Sequence, residues 1–142
     1  MSEAPPLLKA LAIGKQFPGV RALHDVNLTL FQGEVLSLVG ENGAGKSTMM
    51  KILAGIHFPD KGAIELDGDF VEISNVREAQ KYGIALIHQE LNLSDNLDIA
   101  ANIFLGNEPH KSGIIDRNRI HKESAQFLKR VGLEFSTDTL VA

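Results

Sequence analysis

Apolar and polar residues alternate with a period close to two in the first part of the chain. This alternation is typical of strands that bury one face of a sheet. Further along, the dipeptide Asp67-Gly68 lies between two short apolar runs and is a strong signal for a tight hairpin turn. The pattern predicts an antiparallel β subdomain formed by about residues 7–31 and 63–73.

Two other runs, residues 34–39 and 84–87, are almost continuously apolar. Such runs are typical of strands that are buried on both faces of a sheet. A glycine-rich loop follows the first run, and the next residues predict a helix that ends at Gly55 in a left-handed conformation. Strands that alternate with helices indicate an α/β fold. We place its core at about 33–58 and 83–89.

After Leu93 the apolar positions take on the period of a helix, over residues 97–105 and 118–131. Within the second segment, one buried face is predicted to contain Ile120, Phe127, Leu128 and Val131. We therefore expect the β subdomain and the core to occupy about residues 7–96, and a helical subdomain to begin in about 97–142.

The stretch from Gly40 to Ser47 fits the pattern G-x-x-x-x-G-K-[ST], the P-loop that holds nucleotide phosphates. It precedes a predicted helix, whose first N–H groups attract anions. Lys46 supplies a positive charge for the β- and γ-phosphates, Ser47 offers a hard oxygen ligand to Mg²⁺, and Thr48 can contact the α-phosphate. The predicted nucleotide-binding residues of this loop are Gly40, Glu41, Asn42, Gly43, Ala44, Gly45, Lys46, Ser47 and Thr48.

The overall composition narrows the possible partners. The 142-residue chain has 14 Lys and Arg against 18 Asp and Glu, so its formal net charge is −4. We expect no nucleic-acid partner, because nucleic-acid-binding proteins usually carry a basic surface. The sequence has no cysteine, which excludes disulfides and thiolate metal sites. No apolar stretch approaches the ~20 residues that cross a bilayer, so we expect no direct membrane insertion.

Further motifs narrow the class of P-loop protein. The Asp-x-x-Gly and Asn-Lys-x-Asp motifs of GTPases do not occur, and no apolar run ends in the Asp that a complete P-loop ATPase uses to hold Mg²⁺. The stretch GENGAGKST, followed by IHQELNL and NIFLG, resembles the ATP-binding cassette (ABC) subunits of bacterial sugar importers. The resemblance runs from KQFPGVRAL to DTLVA and points to the ribose, galactose and xylose type, which carries two cassettes in tandem.

The resemblance assigns roles to two residues outside the P-loop. Gln89 matches the glutamine of the family's Q-loop, so it is expected to act with Lys46 in catalysis and with Ser47 at Mg²⁺. Phe17 matches the aromatic residue that stacks on adenine, although an ordinary core position remains an alternative. His88 stays open between a ligand contact and structural packing, and packing is the more economical interpretation.

The resemblance also implies a function for the parent protein, which is ATP hydrolysis coupled to import of a solute, most simply a monosaccharide. The cofactors would be ATP and Mg²⁺. The partners would be transmembrane permease subunits, a periplasmic sugar-binding protein and a second cassette, with this subunit at the cytoplasmic face of a bacterial membrane. Residues 90–104 are expected to face the transmembrane partner.

Several motifs of the family do not occur in these residues, namely the LSGGQ-like signature, the Walker B Asp with its catalytic Glu, the D-loop and the switch His. We therefore expect the chain to be the first part of an incomplete cassette, with unpaired sheet edges and little hydrolysis by itself. Two alternatives remain open: a fragment of a non-transport ABC ATPase, and a nucleotide-binding module that does not hydrolyse ATP.

Overall fold

The computed structural model describes residues 5–88 and 93–141. These residues divide into two compact units, Met1–Ile87 and His88–Ala142. Each unit has its own secondary structure and is described by itself.

The first unit contains a four-stranded antiparallel sheet formed by β1 (Leu8–Phe17), β2 (Val20–Leu30), β3 (Lys61–Leu66) and β4 (Asp69–Val71). The strand order is β2-β1-β3-β4. The prediction of an antiparallel β subdomain is therefore confirmed. The two long strands extend beyond the alternating segments, and β-bulges between Ala10 and Gln16 let β1 stay paired with β2 along its length.

The predicted hairpin turn joins β3 to β4. Leu66 pairs with Asp69, so the connection consists of Asp67 and Gly68 alone. Both residues have positive φ, 50° and 89°, as a type I′ turn requires. The local chemistry of this dipeptide was therefore sufficient to predict the turn.

Two helices accompany the sheet, α1 (Lys46–Leu53) and α2 (Val76–Lys81). The predicted helix after the glycine-rich loop is confirmed, and Gly55 follows it with a φ of 72°. Helix α1 buries one side against the sheet. The buried cluster contains Leu8, Ala10, Ile13, Leu23, Met49, Ile52, Leu53, Ile64, Ile73 and Ala79.

The two continuously apolar runs do not form the predicted buried strands. Residues 34–39 and 84–87 pair with no strand in the part of the chain that the structure describes. Their side chains include some of the most exposed apolar groups, since Val35, Val39 and Ile87 are 93%, 94% and 94% exposed. A strand that is apolar on both faces needs neighbours on both sides, and the described residues provide none. The prediction of their pairing is therefore wrong for the described residues.

The second unit is built from two helices and a short hairpin. They are α3 (Ile99–Phe104), β5 (His110–Lys111), β6 (Ile114–Ile115) and α4 (Arg117–Arg130). Asp98 and Asp116 cap the two helices, since their carboxylates accept hydrogen bonds from the backbone N–H groups of Ala101 and Arg119. Both predicted helical segments are therefore confirmed; α3 is shorter than the predicted 97–105, and α4 is shifted by one residue from the predicted 118–131.

The buried face of α4 differs from the predicted one. Ile120, Ser124 and Leu128 are buried at a spacing of four residues, whereas Phe127 is 44% exposed and Val131 is 69% exposed. Val131 is the C-cap and no longer follows the helical repeat. The buried face therefore centres on the small Ser124.

The segment after α4 packs against the start of α3. The N–H groups of Ile99 and Ala100 donate to the carbonyl oxygens of Thr139 and Thr137, at 2.9 and 3.0 Å. Leu140 forms an isolated antiparallel bridge with Asp98. These backbone contacts fix the last described residues on the second unit.

Among the described residues, no helix is both long enough and apolar enough to span a bilayer.

Substitution of Ile13 tests the core of the first unit. Ile13 is fully buried at the centre of β1, so Ile13→Ala should lower the free energy of unfolding by about 2–5 kcal/mol. Val20 begins β2 and is 62% exposed, so Val20→Ala should change stability by about 0.5 kcal/mol or less. Urea denaturation of both variants measures the difference, and equal losses would contradict the assigned core.

Candidate functional site

The predicted phosphate-binding loop lies directly before α1 and turns tightly on itself. The N–H of Ala44 donates to the carbonyl oxygen of Glu41 at 3.2 Å, and Gly43 has a φ of 85°. Residues 40–44 are all exposed. The loop is therefore open to solvent along these five residues.

Gly45 fixes the loop against the sheet. Its φ is +85°, and a Cβ atom at this position would lie 2.5 Å from the carbonyl oxygen of Ala22 and 2.6 Å from the Leu23 side chain. No real Cβ tolerates such distances, so only glycine allows the loop to approach β2 this closely. The spacing of the motif thus has a packing reason in this chain.

The start of α1 is left free of side-chain caps. Gly45 is the N-cap and provides no side-chain hydrogen bond, and the first bond of the helical ladder runs from Met49 N–H to the Gly45 carbonyl at 2.9 Å. The N–H groups of Lys46, Ser47 and Thr48 precede that bond and point out of the helix start. Together with the helix dipole, they favour a negatively charged ligand.

Lys46 folds back over the loop from this helix start. Its ammonium donates to the carbonyl oxygens of Gly40 at 2.7 Å and of Glu41 at 2.8 Å. An ammonium has three N–H donors, so at least one remains for a ligand. The lysine therefore brings a positive charge to the loop that precedes the free backbone N–H groups of the helix start.

The remaining predicted residues lie in the loop and in the first turn of α1. Asn42 and Ser47 are exposed, and Thr48 is half-buried in the first turn of α1. The structure thus brings all nine predicted residues, from Gly40 to Thr48, together around one helix start. Gln89, the predicted catalytic and Mg²⁺-binding glutamine, lies outside the described residues, and neighbouring His88 is exposed.

Phe17 lies at the end of β1, opposite Val20 at the start of β2. The same strand β2 supplies Ala22 and Leu23 to the Gly45 contact, so Phe17 and the loop are held by one strand. The Phe17 ring is half-buried and meets His57 edge to face, with 5.3 Å between the ring centroids. The site thus keeps an aromatic ring near the strand end that supports the loop.

An ion pair fixes the backbone beside Phe17. Lys15 Nζ lies 5.6 Å from the centroid of the Phe17 ring and donates to Asp60 Oδ1 at 2.8 Å, while the backbone N–H of Gln16 donates to Asp60 Oδ2 at 2.7 Å. The hydrogen bond from Lys15, and then that from Gln16, holds the pKa of Asp60 below its usual value. Sequence patterns gave no signal for His57 or for this ion pair, because both contacts depend on the folded turn at Asp60.

A glycine loop of this kind, leading into an uncapped helix with a lysine folded over it, defines the class of P-loop nucleotide-binding proteins. The family model described as "ABC transporter" matches residues 23–142. The chain therefore belongs to the ABC transporter family, and the resemblance found in its motifs is confirmed.

Curated relatives agree with this family. The chain is 53% identical over 96% of its length to the ribose import ATP-binding protein RbsA of Caldanaerobacter subterraneus, and 45% identical over 100% of its length to the RbsA of Clostridium perfringens. A ribose/galactose/methyl galactoside import ATP-binding protein of Burkholderia lata is 49% identical over 97% of the chain. The chain spans only 28%, 29% and 27% of these three proteins.

Solved structures confirm the fold. An ATP-binding cassette of an ABC transporter superposes with a TM-score of 0.79 at 22% identity, covering 96% of this chain and 58% of that one. The cbiO1 protein of Clostridium perfringens, part of the ABC transporter complex cbiONQ, gives a TM-score of 0.70 at 26% identity, covering 95% of this chain and 54% of its own. The predicted α/β fold of an ABC nucleotide-binding domain is therefore confirmed.

Two variants separate the effect of the close approach of Gly45 to β2 from the effect of its left-handed backbone conformation. Gly43 and Gly45 share a φ of +85°, but a Cβ on Gly43 would meet nothing within 4 Å. Gly43→Ala should therefore cost only the left-handed conformation, about 1 kcal/mol of stability. Gly45→Ala adds a clash with the β2 backbone and should cost about 2–4 kcal/mol. Equal unfolding midpoints for the two variants in urea would contradict the packing of the loop on β2.

Proposed function

We propose that this chain binds ATP with Mg²⁺ through the loop at Gly40 to Thr48. The observation that supports this most strongly is the start of α1, where free backbone N–H groups and the Lys46 ammonium lie at the same exposed loop. Such a surface suits a ligand with several negatively charged oxygens close together, which is the chemistry of a triphosphate.

The loop backbone and Lys46 would make different contacts with the phosphates. The backbone N–H groups of the loop and of the first turn of α1 would hold the phosphate oxygens, and Gly43 and Gly45 keep side chains out of their way. Lys46 would exchange one of its carbonyl contacts for the β- and γ-phosphates. Its charge is already over the loop, so little rearrangement is needed.

Ser47 and Gln89 are the proposed ligands on the Mg²⁺ side. The exposed Ser47 hydroxyl fits this role because Mg²⁺ prefers hard oxygen ligands and keeps several waters. Mg²⁺ would neutralise charge on the phosphates when bound. Gln89 is proposed from the family motif alone.

Phe17 is proposed to stack on the adenine ring. Its ring is positioned by His57 and Lys15 at the end of β1, and adjacent β2 contacts the loop at Gly45. An aromatic face needs no hydroxyl for stacking, so phenylalanine suits the role. One strand would thereby set the distance between the base and the phosphates.

In the whole protein, we propose that ATP hydrolysis drives import of a monosaccharide. The sugar importers named among the relatives support this, with transmembrane permease subunits, a periplasmic sugar-binding protein and a second cassette as partners at the cytoplasmic face of the membrane. Exposed apolar side chains lie within the proposed contact region, residues 90–104, and directly after it. Leu93, Ile103 and Leu105 are 52%, 41% and 53% exposed, which suits a protein partner.

Loss of Lys46 tests the proposed phosphate contact. Lys46→Ala should weaken Mg-ATP binding by about 10- to 100-fold, since hydrogen bonds to charged groups contribute about 1.5–3 kcal/mol. Lys51→Ala removes an exposed lysine from the same helix and should leave binding unchanged. Calorimetry on the three folded chains measures this. Equal affinities for the wild type and Lys46→Ala would contradict the proposal.

Loss of Phe17 tests the adenine contact separately from the phosphates. Stacking contributes about 1–3 kcal/mol per base, so Phe17→Ala should weaken ATP binding by roughly tenfold or more. Binding of inorganic triphosphate should not change, because that ligand has no base.

The matched control for this experiment is Phe70→Ala, which removes a phenylalanine that is 71% exposed on β4. It should affect neither ligand. If Phe17→Ala weakened ATP and triphosphate equally, Phe17 would support the fold of the site and would not be an adenine contact.

A further inference from the structure

Three potential metal ligands converge in the second unit, and none of them belongs to the P-loop. Asp98, His121 and Asp138 each offer one ligand atom, and these atoms lie within 4.8 Å of one another. They come from the N-cap of α3, from the first half of α4 and from the segment that follows α4. The three residues are thus distant in sequence and are brought together only by the fold.

The distances approach those of a metal coordination shell. His121 Nδ1 lies 3.6 Å from Asp138 Oδ1. Ligand atoms around a tetrahedral or octahedral ion with bonds of ~2.0–2.2 Å are separated by ~3.0–3.6 Å. The side chain of Asp138 is 77% exposed, so it is free to move the remaining distance toward the other two ligands.

Backbone hydrogen bonds hold this arrangement together without any ion. Ile99 N–H and Ala100 N–H donate to the carbonyl oxygens of Thr139 and Thr137, and Val141 N–H donates to Leu97 O at 3.2 Å. The segment that carries Asp138 is therefore fixed on both sides. A metal ion would bind to a largely preformed site, which reduces the cost of ordering its ligands.

The hydrogen bonds of these side chains leave one carboxylate oxygen available and require one exchange. Asp98 caps α3 with Oδ1, which accepts from Ala101 N–H at 2.7 Å, and its second oxygen is not needed for the cap. His121 Nδ1 lies 3.0 Å from Thr137 Oγ1, so an ion bound at this nitrogen would replace that hydrogen bond. The helix cap explains the position of Asp98, and the ion pair explains the contact between His121 and Asp138. Neither interaction requires Asp98, His121 and Asp138 to lie together.

We propose that Asp98, His121 and Asp138 form a binding site for a divalent transition-metal ion of the Zn²⁺ type. An imidazole nitrogen favours Zn²⁺, Ni²⁺ or Co²⁺ over Mg²⁺ and Ca²⁺, which prefer all-oxygen sites. The two carboxylates balance the charge of a divalent ion. Because Asp138 is exposed, water would complete the coordination. The site would cross-link α3, α4 and the following segment, independently of nucleotide binding.

The test is a titration of the complete 142-residue chain with Zn²⁺ alone, in a buffer that does not bind metals. We expect one Zn²⁺ per chain by calorimetry. Asp138→Asn and His121→Ala should each weaken binding by roughly tenfold or more, since even the outer partners of metal ligands contribute ~10–100-fold. His110→Ala removes an exposed histidine of the same unit and is the matched control, with unchanged affinity expected.

A second readout identifies the ligand atom directly. In histidine side-chain NMR, Zn²⁺ should shift the Nδ1 signal of His121 and leave the signals of the other four histidines, His24, His57, His88 and His110, in place. Asp138→Asn is an exposed, nearly isosteric change that retains the fold, so it keeps the test decisive even if His121→Ala unfolds. Unchanged Zn²⁺ affinity in Asp138→Asn, or a shift confined to other histidines, would overturn the proposal.

Discussion

At Gly45 the backbone of the phosphate-binding loop comes so close to β2 that a single added methyl group would lie 2.5 Å from the carbonyl oxygen of Ala22. The rest of the site depends on this approach. It sets where α1 begins, and the apolar side of that helix, with Met49 and Ile52, then packs into the core formed with β1 and β3. A loop held in this way can present backbone N–H groups at a fixed position. A side chain in place of Gly45 would push the loop away from its support.

The approach of Gly45 to β2 also explains how a small set of residues could bind a ligand as large as a nucleotide. Lys46 folds over the loop because its own helix starts there, and its ammonium bonds to Gly40 and Glu41 within the loop. Phe17 is tied to the same strand through its pairing with Val20. Strand β2 and helix α1 would thus position the contacts to the adenine base and the phosphates, together with the positive charge of Lys46. Backbone N–H groups would make most of the contacts to the phosphates.

Features with a local cause could be predicted from the sequence. The Asp67-Gly68 turn, the left-handed Gly55 and the P-loop all depend on residues next to one another, and the structure has each of them. Features that depend on residues distant in the sequence could not be predicted in this way. The apolar residues at 34–39 and 84–87 predict buried strands, but these segments pair with no strand among the described residues. No periodic pattern in the sequence predicts the edge-to-face contact of His57 with Phe17. The burial of Ser124 in place of Phe127 depends on how closely α4 packs, which the helical period alone does not determine.

The most direct measurement is amide NMR of the complete chain during a titration with Mg-ATP. If the backbone of the loop binds the phosphates, the N–H signals of Gly43, Gly45, Lys46 and Ser47 should shift most, saturate together and stay unchanged with adenosine alone. The signals of the Asp67-Gly68 hairpin should remain in place. A folded chain that binds Mg-ATP without shifting the loop signals, or that shows its largest changes elsewhere, would contradict the assignment of this loop as the nucleotide site.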